Sequence, residues 1–360
     1  MDNTNAANLI IKVLQDGLIF RRATESDEEN IEILSQLVHS GPLGMEEEDG
    51  FSFFKKYAKG PHPPTTIEHF VVIENTRSNP GANPIVAVTC LVKELCMYGS
   101  VPFIMGRPEI IGTHPDFRGR GFVHLMMEYI NNLCDKENLL LDGITGIPFF
   151  YRQFGYEFAL ALDSGDGVKL DDIPPLNENN QYFLRSAQLQ DYDDYSAFHD
   201  LNCTTSLISM SVNPDIWNHA LTCWKDNEKI MRTYIIYMIY SKSFSETPVG
   251  VAVVMYNRWT HCQTVTEIVL GSLETNTMYP TSKVEEMLPD ILSILKHNLS
   301  KDLIPQRDKE PPLSMLKLNI TKRNPIHSAL MNLKLYSTPS NPYACVKRSN
   351  REDREWMCMR

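Results

Sequence analysis

The chain has 360 residues, which at about 100 to 200 residues per domain predicts two domains, or three. Apolar residues make up 42% and charged residues 22%, with 18 Gly and 22 Pro, a composition that excludes collagen-like and disordered chains and allows real cores. The formal charge of -11, from 34 basic against 45 acidic side chains, argues against a general nucleic-acid or anionic-membrane binder and favours cationic or amine-bearing substrates.

The opening MDNTNAANL has neither a basic n-region nor an apolar h-region, so no secretory signal is expected. The apolar runs YIIYMIY (234–240) and VGVAVVMY (249–256) have strand length, well short of the roughly 20 residues of a spanning helix. Eight cysteines, at 90, 96, 134, 203, 223, 262, 345 and 358, form no CxxC pair. The expectation is buried free thiols in a reducing cytoplasm, with no metal and no disulfide framework.

In chain order, Leu18 to Ala23 (LIFRRA) predicts a strand, and Thr24 can cap a helix whose apolar face carries Ile31, Leu34 and Leu37. The acidic stretch 41–50 reads as a solvated loop. HFVVIE (69–74) and IVAVTCLV (85–92), joined by NTRSNPGANP, predict an antiparallel hairpin. A further strand ends at Thr113, an amphipathic helix spans about 121–134, and a strand at 139–145 leads through Gly-Ile-Pro to a helical segment around Tyr151. Polar residues 163–180, with consecutive prolines, mark a boundary. Beyond it come a strand at 182–185, a helix led by Asp191, strands at 234–240, 249–256 and 262–269, a helix at 284–299 and a strand at 313–320. The same order recurs, which predicts an internal repeat of about 160 to 170 residues. The units are expected at 1–165 and 182–346, with a linker at 166–181 and a basic tail at 347–360 that is either exposed or docked through Trp356 and Met357.

The chemistry concentrates in Ile110 to Ile130, IIGTHPDFRGRGFVHLMMEYI, where a strand enters a two-glycine loop and then a helix. Gly119 and Gly121 let successive amides face one point, the helix N-terminus adds partial positive charge, and Arg118 and Arg120 reinforce it. A pyrophosphate suits such a nest. A tight turn with solvated arginines is the plainer reading.

His114-Pro115-Asp116-Phe117-Arg118-Gly119-Arg120-Gly121, followed by Tyr151-Arg152-Gln153-Phe154-Gly155-Tyr156 and preceded by LIFRRATESD, resembles the acetyl-CoA-binding and following motifs of the GNAT superfamily of N-acetyltransferases. The similarity is greatest to the Eis-like tandem enzymes, in which a catalytic N-terminal unit precedes a degenerate second one. Val123 stands where most members carry Gly or Ala, and the Eis-like branch tolerates an aliphatic residue there. The residues after the second unit are too few for the third domain that ends Eis-like enzymes.

The resemblance implies an α/β (α+β) fold with a mixed sheet in two tandem GNAT domains, the second degenerate. It implies that amides of Arg118, Gly119, Arg120, Gly121, Phe122 and Val123 hold the pyrophosphate. Ile110, Ile111 and Gly112 would pair with the pantetheine arm as an added strand, and Gly146 and Ile147 would line the acetyl group. For these apolar residues, ordinary strand core is the competing reading. Tyr151 would act as general acid for the CoA thiolate, with Tyr156 as competitor or packing residue. Glu109 is either a base acting through water or a solvated edge residue, and His114 is a structural hydrogen-bonder. No covalent nucleophile is needed. The second half has GSLETNTMYPTS (271–282) in place of the glycine loop, so its expected role is to wall the acceptor pocket, with Trp217, Trp224, Trp259 and the Tyr-rich strand 234–240 as candidate lining and core packing as the default reading of each. The implied activity is a cytoplasmic N-acetyltransferase taking acetyl-CoA and a small or peptide-borne primary amine, with no nucleic-acid or membrane partner. The alternative is a non-catalytic acyl-CoA-binding or interaction scaffold.

Overall fold

The computed structural model describes residues 9–39, 65–145, 149–161, 167–222, 232–257, 262–302, 315–318, 320–335 and 356–359. The first unit comprises β1 (Ile10–Val13), β2 (Leu18–Arg22), α1 (Glu28–His39), β3 (Phe70–Asn75), β4 (Ile85–Tyr98), β5 (Val101–Thr113), α2 (Phe122–Lys136), β6 (Leu141–Thr145) and β7 (Glu157–Ala161). The second comprises β8 (Gly167–Lys169), β9 (Tyr182–Ser186), α3 (Tyr192–Cys203), β10 (Ile208–Met210), α4 (Pro214–Thr222), β11 (Arg232–Ser241), β12 (Phe244–Asn257), β13 (Cys262–Ser272), β14 (Thr277–Met278), α5 (Thr281–Asp302), β15 (Met315–Leu318) and α6 (Pro325–Asn332). Strand β16 (Trp356–Met359) returns to the first unit. No helix among the described residues is long and apolar enough to cross a membrane.

Each unit is a sheet between helices, and strand alternation shows why. In β3, Phe70 and Val72 face α1 with Ile31 and Leu34, while Val71 and Ile73 join Phe122 and Met126 of α2 on the other face. In β12, Ala252 and Val254 meet α5, and Val251 and Val253 meet α3 and α4. Both strands are buried on both faces, so each reads as a continuous apolar run.

The repeat is visible in its polar joints as well. At the end of β2, Arg21 grips both oxygens of Asp27 at 2.7 Å, and Asp27 accepts from the Thr24 amide at 2.8 Å, closing the cap of α1. Arg185, Gln188 and Asp191 reproduce that joint at the same spacing, with 2.8 Å contacts to both oxygens and 2.7 Å from the Gln188 amide. Glu74 takes a third contact in the first unit and the Tyr240 hydroxyl takes its place in the second.

The first sheet runs β1-β2-β3-β4-β5-β6-β16-β7, with β10 added to β4. The second runs β8-β15-β13-β12-β11-β9, with β14 on β13. Two sequence expectations change. Gly167–Lys169, assigned to the linker, forms the edge strand β8 on β15 with Val168 fully buried, because a short apolar stretch can complete an open edge. Of the two readings of the tail, docking is the outcome for Trp356–Met359, which pairs antiparallel with both β6 and β7. Strands β1, β7, β10 and β14 and helices α4 and α6 were not anticipated, although Asn213 before Pro214 is a helix-start signal and its side chain caps the Ile216 amide at 2.8 Å.

Strand β4 outruns β3, and its distal edge at Cys96–Tyr98 is covered by β10 of the second unit. A charged cluster fastens β10. Buried Glu267 accepts from Tyr195 Oη at 3.1 Å, Asn202 Nδ2 at 3.0 Å and His199 Nδ1 at 3.0 Å. His199 Nε2 lies 2.8 Å from the Met210 carbonyl of β10. A carboxylate and a carbonyl only accept, so both ring nitrogens donate and the ring is an imidazolium. Burial opposes that charge, but Glu267, with Cys203, overcomes it and holds His199 up at about 11.

The sign of the pH effect follows. A raised imidazole contributes stability that is complete below its ordinary 6.5 and is lost as pH rises through about 11. Denaturant titrations across that window should show falling stability in the wild type. His199→Gln, which leaves Glu267 buried beside no cation, should lower stability by about 3 to 5 kcal/mol near neutrality and lose most of that alkaline dependence.

Candidate functional site

Strands β5 and β6 run parallel and pair only at Met105–Leu141 and Gly106–Asp142. A Cβ at Gly106 would stand 2.9 Å from both Asp142 Oδ1 and Cys134 Sγ, so side chains of β6 and α2 close over the strand at this position. Further along, β5 carries a bulge between Glu109, paired with Cys90, and Gly112, paired with Val88. Ile110 inside it has φ +54°, a costly conformation for a β-branched residue. Thr89 Oγ1 donates to the Glu109 carbonyl at 3.1 Å and helps hold the bulge. The bulge bends β5, and a gap opens toward Thr113 on one side and Thr145 on the other.

The two faces of β5 differ. Ile110 packs on the α1 side, while Ile111 packs on the opposite side with Val123, Met127, Ile144, Tyr151 and Tyr156. A Cβ at Gly112 would stand 2.5 Å from Val38 Cγ2 and 3.7 Å from His39 Nε2, so the end of α1 rests directly on the strand backbone.

Beyond Thr113, His114 Nδ1 accepts from the Asp116 amide at 3.3 Å, the structural role expected of it. Arg118 Nε donates to the Thr113 carbonyl at 3.3 Å. Arg120 lies 5.0 Å over the Phe117 ring and 3.8 Å from Asp16, so neither arginine is merely solvated. Gly119 and Gly121 have φ +76° and +77°, and a Cβ at either would meet no protein atom within 4 Å. The helical hydrogen bonds of α2 begin with Leu125 to Gly121 at 3.0 Å, with no side-chain cap and no acid in the first turn. The amides of that turn therefore face outward with the positive end of the helix dipole. A cleft of about 460 Å³ lies against this end, lined in part by Lys12, Gln15, Asp16, Arg120 and Phe122.

Tyr151 lies in the 3-10 turn Phe150–Phe154, between Phe149 at φ +64° and Gly155 at +91°. It is buried, 5.1 Å edge-on to Phe150 and 6.3 Å from the Tyr156 ring. Tyr156 is fully buried, and its hydroxyl donates to Asn131 Oδ1 of α2 at 3.1 Å. Asn131 Nδ2 in turn donates to the Phe154 carbonyl at 3.3 Å. Tyr156 thus staples the turn to α2, the packing role read from the sequence.

The fold therefore gathers Ile111, Val123 and Tyr151 on one face of β5, sets Ile110 and Gly112 on the other, and strings Arg118 to Phe122 along the helix entrance. Gly146 and Ile147 lie outside the described residues. Glu109 is no solvated edge residue: Arg107 holds it at 2.5 Å and reaches both oxygens of Glu94 at 3.1 Å. Trp217 is core of the second unit, stacked 4.5 Å from Tyr195, with Nε1 bonded to the Leu189 carbonyl at 3.1 Å. Trp224 and Trp259 lie outside the described residues. GSLETNTMYPTS forms the short β13–β14 hairpin and the entry to α5, with no paired-glycine turn. Lys12 was missed in the sequence, where a lysine on a four-residue edge strand carries no distinguishing pattern.

No family model and no curated protein sequence matches the chain. Solved structures do. The GCN5-related N-acetyltransferase from Anabaena variabilis aligns with TM-score 0.57 and 12% identity over 95% of this chain and 72% of its own. Eis1 from Mycobacterium abscessus aligns with TM-score 0.52 and 11% identity over 95% of this chain and 73% of its own. The Saccharomyces cerevisiae N-myristoyltransferase, solved with myristoyl-CoA, aligns with TM-score 0.57 and 8% identity over 97% of this chain and 83% of its own. At these identities the likeness is one of fold.

The Gly112 contact is testable. Gly112→Ala should destabilise the protein by about 1 to 3 kcal/mol in urea denaturation, as overpacked sites do. Adding Val38→Ala, which removes the 2.5 Å neighbour, should return part of that loss, so the pair should be non-additive.

Proposed function

We propose that this chain, which has the tandem fold of the GCN5-related N-acetyltransferases, is an acyl-CoA-dependent N-acyltransferase that moves the acetyl group of acetyl-CoA to a primary amine. The observation that carries the reading is the β5–β6 gap, with outward amides and two arginines at its entrance and a buried tyrosine on one face.

In this reading the pyrophosphate rests on amides of Gly119 to Val123, since the Arg118 amide donates to the Pro115 carbonyl at 3.3 Å, and the open space at Gly119 and Gly121 admits it close to the backbone. The pantetheine arm extends along Ile110, Ile111 and Gly112 as a strand would, and Gly146 and Ile147 flank the acetyl group. The acceptor attacks the thioester directly, so no acyl-enzyme forms. The departing thiolate has an ordinary pKa of about 8.5, and the Tyr151 phenol, ordinarily about 10, protonates it. Tyr156 is unsuited to that role because its hydroxyl is committed to Asn131. The second unit, lacking the glycine loop, binds no CoA and supports the first.

Calorimetric titration should give one CoA per chain, and Gly119→Ala with Gly121→Ala should abolish binding while the protein stays folded. Two equivalent sites would contradict the division of labour between the units. Acetyl-CoA with a panel of primary amines should release free thiol, which a scaffold would not do. Adding longer acyl-CoA donors to the panel reads the chain length accepted. Tyr151→Phe should lower kcat about a hundred- to ten-thousand-fold with little change in KM for acetyl-CoA. Tyr156→Phe should affect kcat far less.

A further inference from the structure

The cleft of about 460 Å³ beside α2 lies outside the gap between β5 and β6. One wall is the β1–β2 hairpin, with Lys12, Gln15 and Asp16, and the other is the start of α2, with Arg120, Gly121 and Phe122. Its size falls within the range of about 300 to 1,000 Å³ that small-molecule sites occupy. Gly121 and Phe122 belong both to this cleft and to the run of amides assigned to the pyrophosphate, so the cleft begins where that run lies.

The charges in it are mostly positive. Lys12 is exposed, and among the described residues no carboxylate lies within ion-pair distance of it. Arg120 meets Asp16 at 3.8 Å, longer than a hydrogen bond, with both side chains open to water, so that contact holds the guanidinium weakly. Arg77, outside the cleft, lies across Gly17 of the same hairpin turn. In a chain of formal charge -11, this is a local excess of positive charge. The other flank of α2 differs. There His124, Phe150 and Phe154 form an aromatic group with ring centroids 4.7 and 5.7 Å apart. The arginine on that flank, Arg152, is already bonded to Glu157 at 3.0 Å and lies 5.2 Å over Phe149.

We infer that the cleft receives the 3′-phosphorylated nucleoside end of CoA, with Lys12 on the 3′-phosphate and Arg120 between that phosphate and the pyrophosphate. The inference rests on the acyl-transfer reading and deepens it, because it states which form of the carrier the enzyme takes. The carrier is a linear chain of acyl group, pantetheine, pyrophosphate and nucleoside. With the acyl group at the gap and the pyrophosphate on Gly119 to Val123, the nucleoside leaves the amides on one flank of α2 or the other. Charge decides between them. A phosphate monoester carries about -1.5 to -2 at neutral pH, and the uncommitted ammonium is on the cleft side. A guanidinium has donors enough to bridge two phosphates, and the lining from Leu14 and Leu125 offers apolar surface to a purine.

Calorimetric titration of the full chain with CoA and with 3′-dephospho-CoA, at one ionic strength, tests the assignment. If neither ligand binds, the acyl-CoA reading falls and this inference with it. If CoA binds, the wild type should prefer it to dephospho-CoA by about fivefold, the upper end for one exposed ion pair. Lys12→Gln should lose most of that preference by weakening CoA alone, and Lys12→Glu should reverse it. Lys322→Gln, which removes the same charge from an exposed position in the second unit, should leave the preference intact. Equal affinity of the wild type for the two ligands would overturn the inference. A preference that survives both Lys12 variants would put the nucleoside on the aromatic flank of α2. A loss shared equally by both ligands would make Lys12 a source of general attraction. Each of these three outcomes overturns the inference and leaves the acyl-transfer reading standing.

Discussion

Two residue pairs are all that join β5 to β6, and the organisation of the first unit follows from how few they are. Parallel strands so briefly paired leave unpaired backbone on both inner edges, which is costly unless another chain or a ligand supplies partners. Beside the point of parting, Gly106 lies under the side chains of Asp142 and Cys134, and beyond it comes the bulge at Ile110, where a β-branched residue is held at positive φ. Strain of this kind persists where the surroundings over-determine it. Here the Thr89 hydroxyl and the packing of Ile110 beneath α1 do so. On the far side of β6, Gly143 to Thr145 are paired, because β16 lies between β6 and β7. The gap on the near side is the one that the proposed reading gives to the donor.

The second unit repeats the joint between strand and helix but not the paired-glycine turn. Arg185 and Asp191 stand to β9 and α3 as Arg21 and Asp27 stand to β2 and α1, so the joint recurs while the glycine turn has no counterpart at 271–282. What the second unit supplies instead is an edge. Strand β10 covers the part of β4 that β3 does not reach, and the His199–Glu267 pair binds β10 to the body of that unit. An uncovered edge on so long a strand would invite pairing with other chains.

Much of this was legible in the sequence, and the reasons for the exceptions are physical. The helix after Arg118-Gly119-Arg120-Gly121 was readable because its apolar stripe has helical period and its two glycines sit where positive φ is needed. The hairpin of β3 and β4 was readable from its turn residues and continuous apolar runs. Strand β10 has only three residues, too few for any period to register, and β16 owes its place to partners some two hundred residues earlier. The conformation of Ile110 has no sequence signal at all, since nothing in a β-branched residue announces positive φ. Nor does a histidine at a helix end announce that a glycine on another strand has made room for it. Local chemistry was legible, and non-local geometry was not.

Hydrogen–deuterium exchange with and without CoA tests the central claim, that the β5–β6 gap and the helix entrance receive the donor. The account predicts slowed exchange at the amides of Ile110 to Thr113 and of Gly119 to His124 when CoA is added, with no change in residues 271–282. Protection confined to the second unit, or unchanged exchange along β5 at saturating CoA, would contradict it.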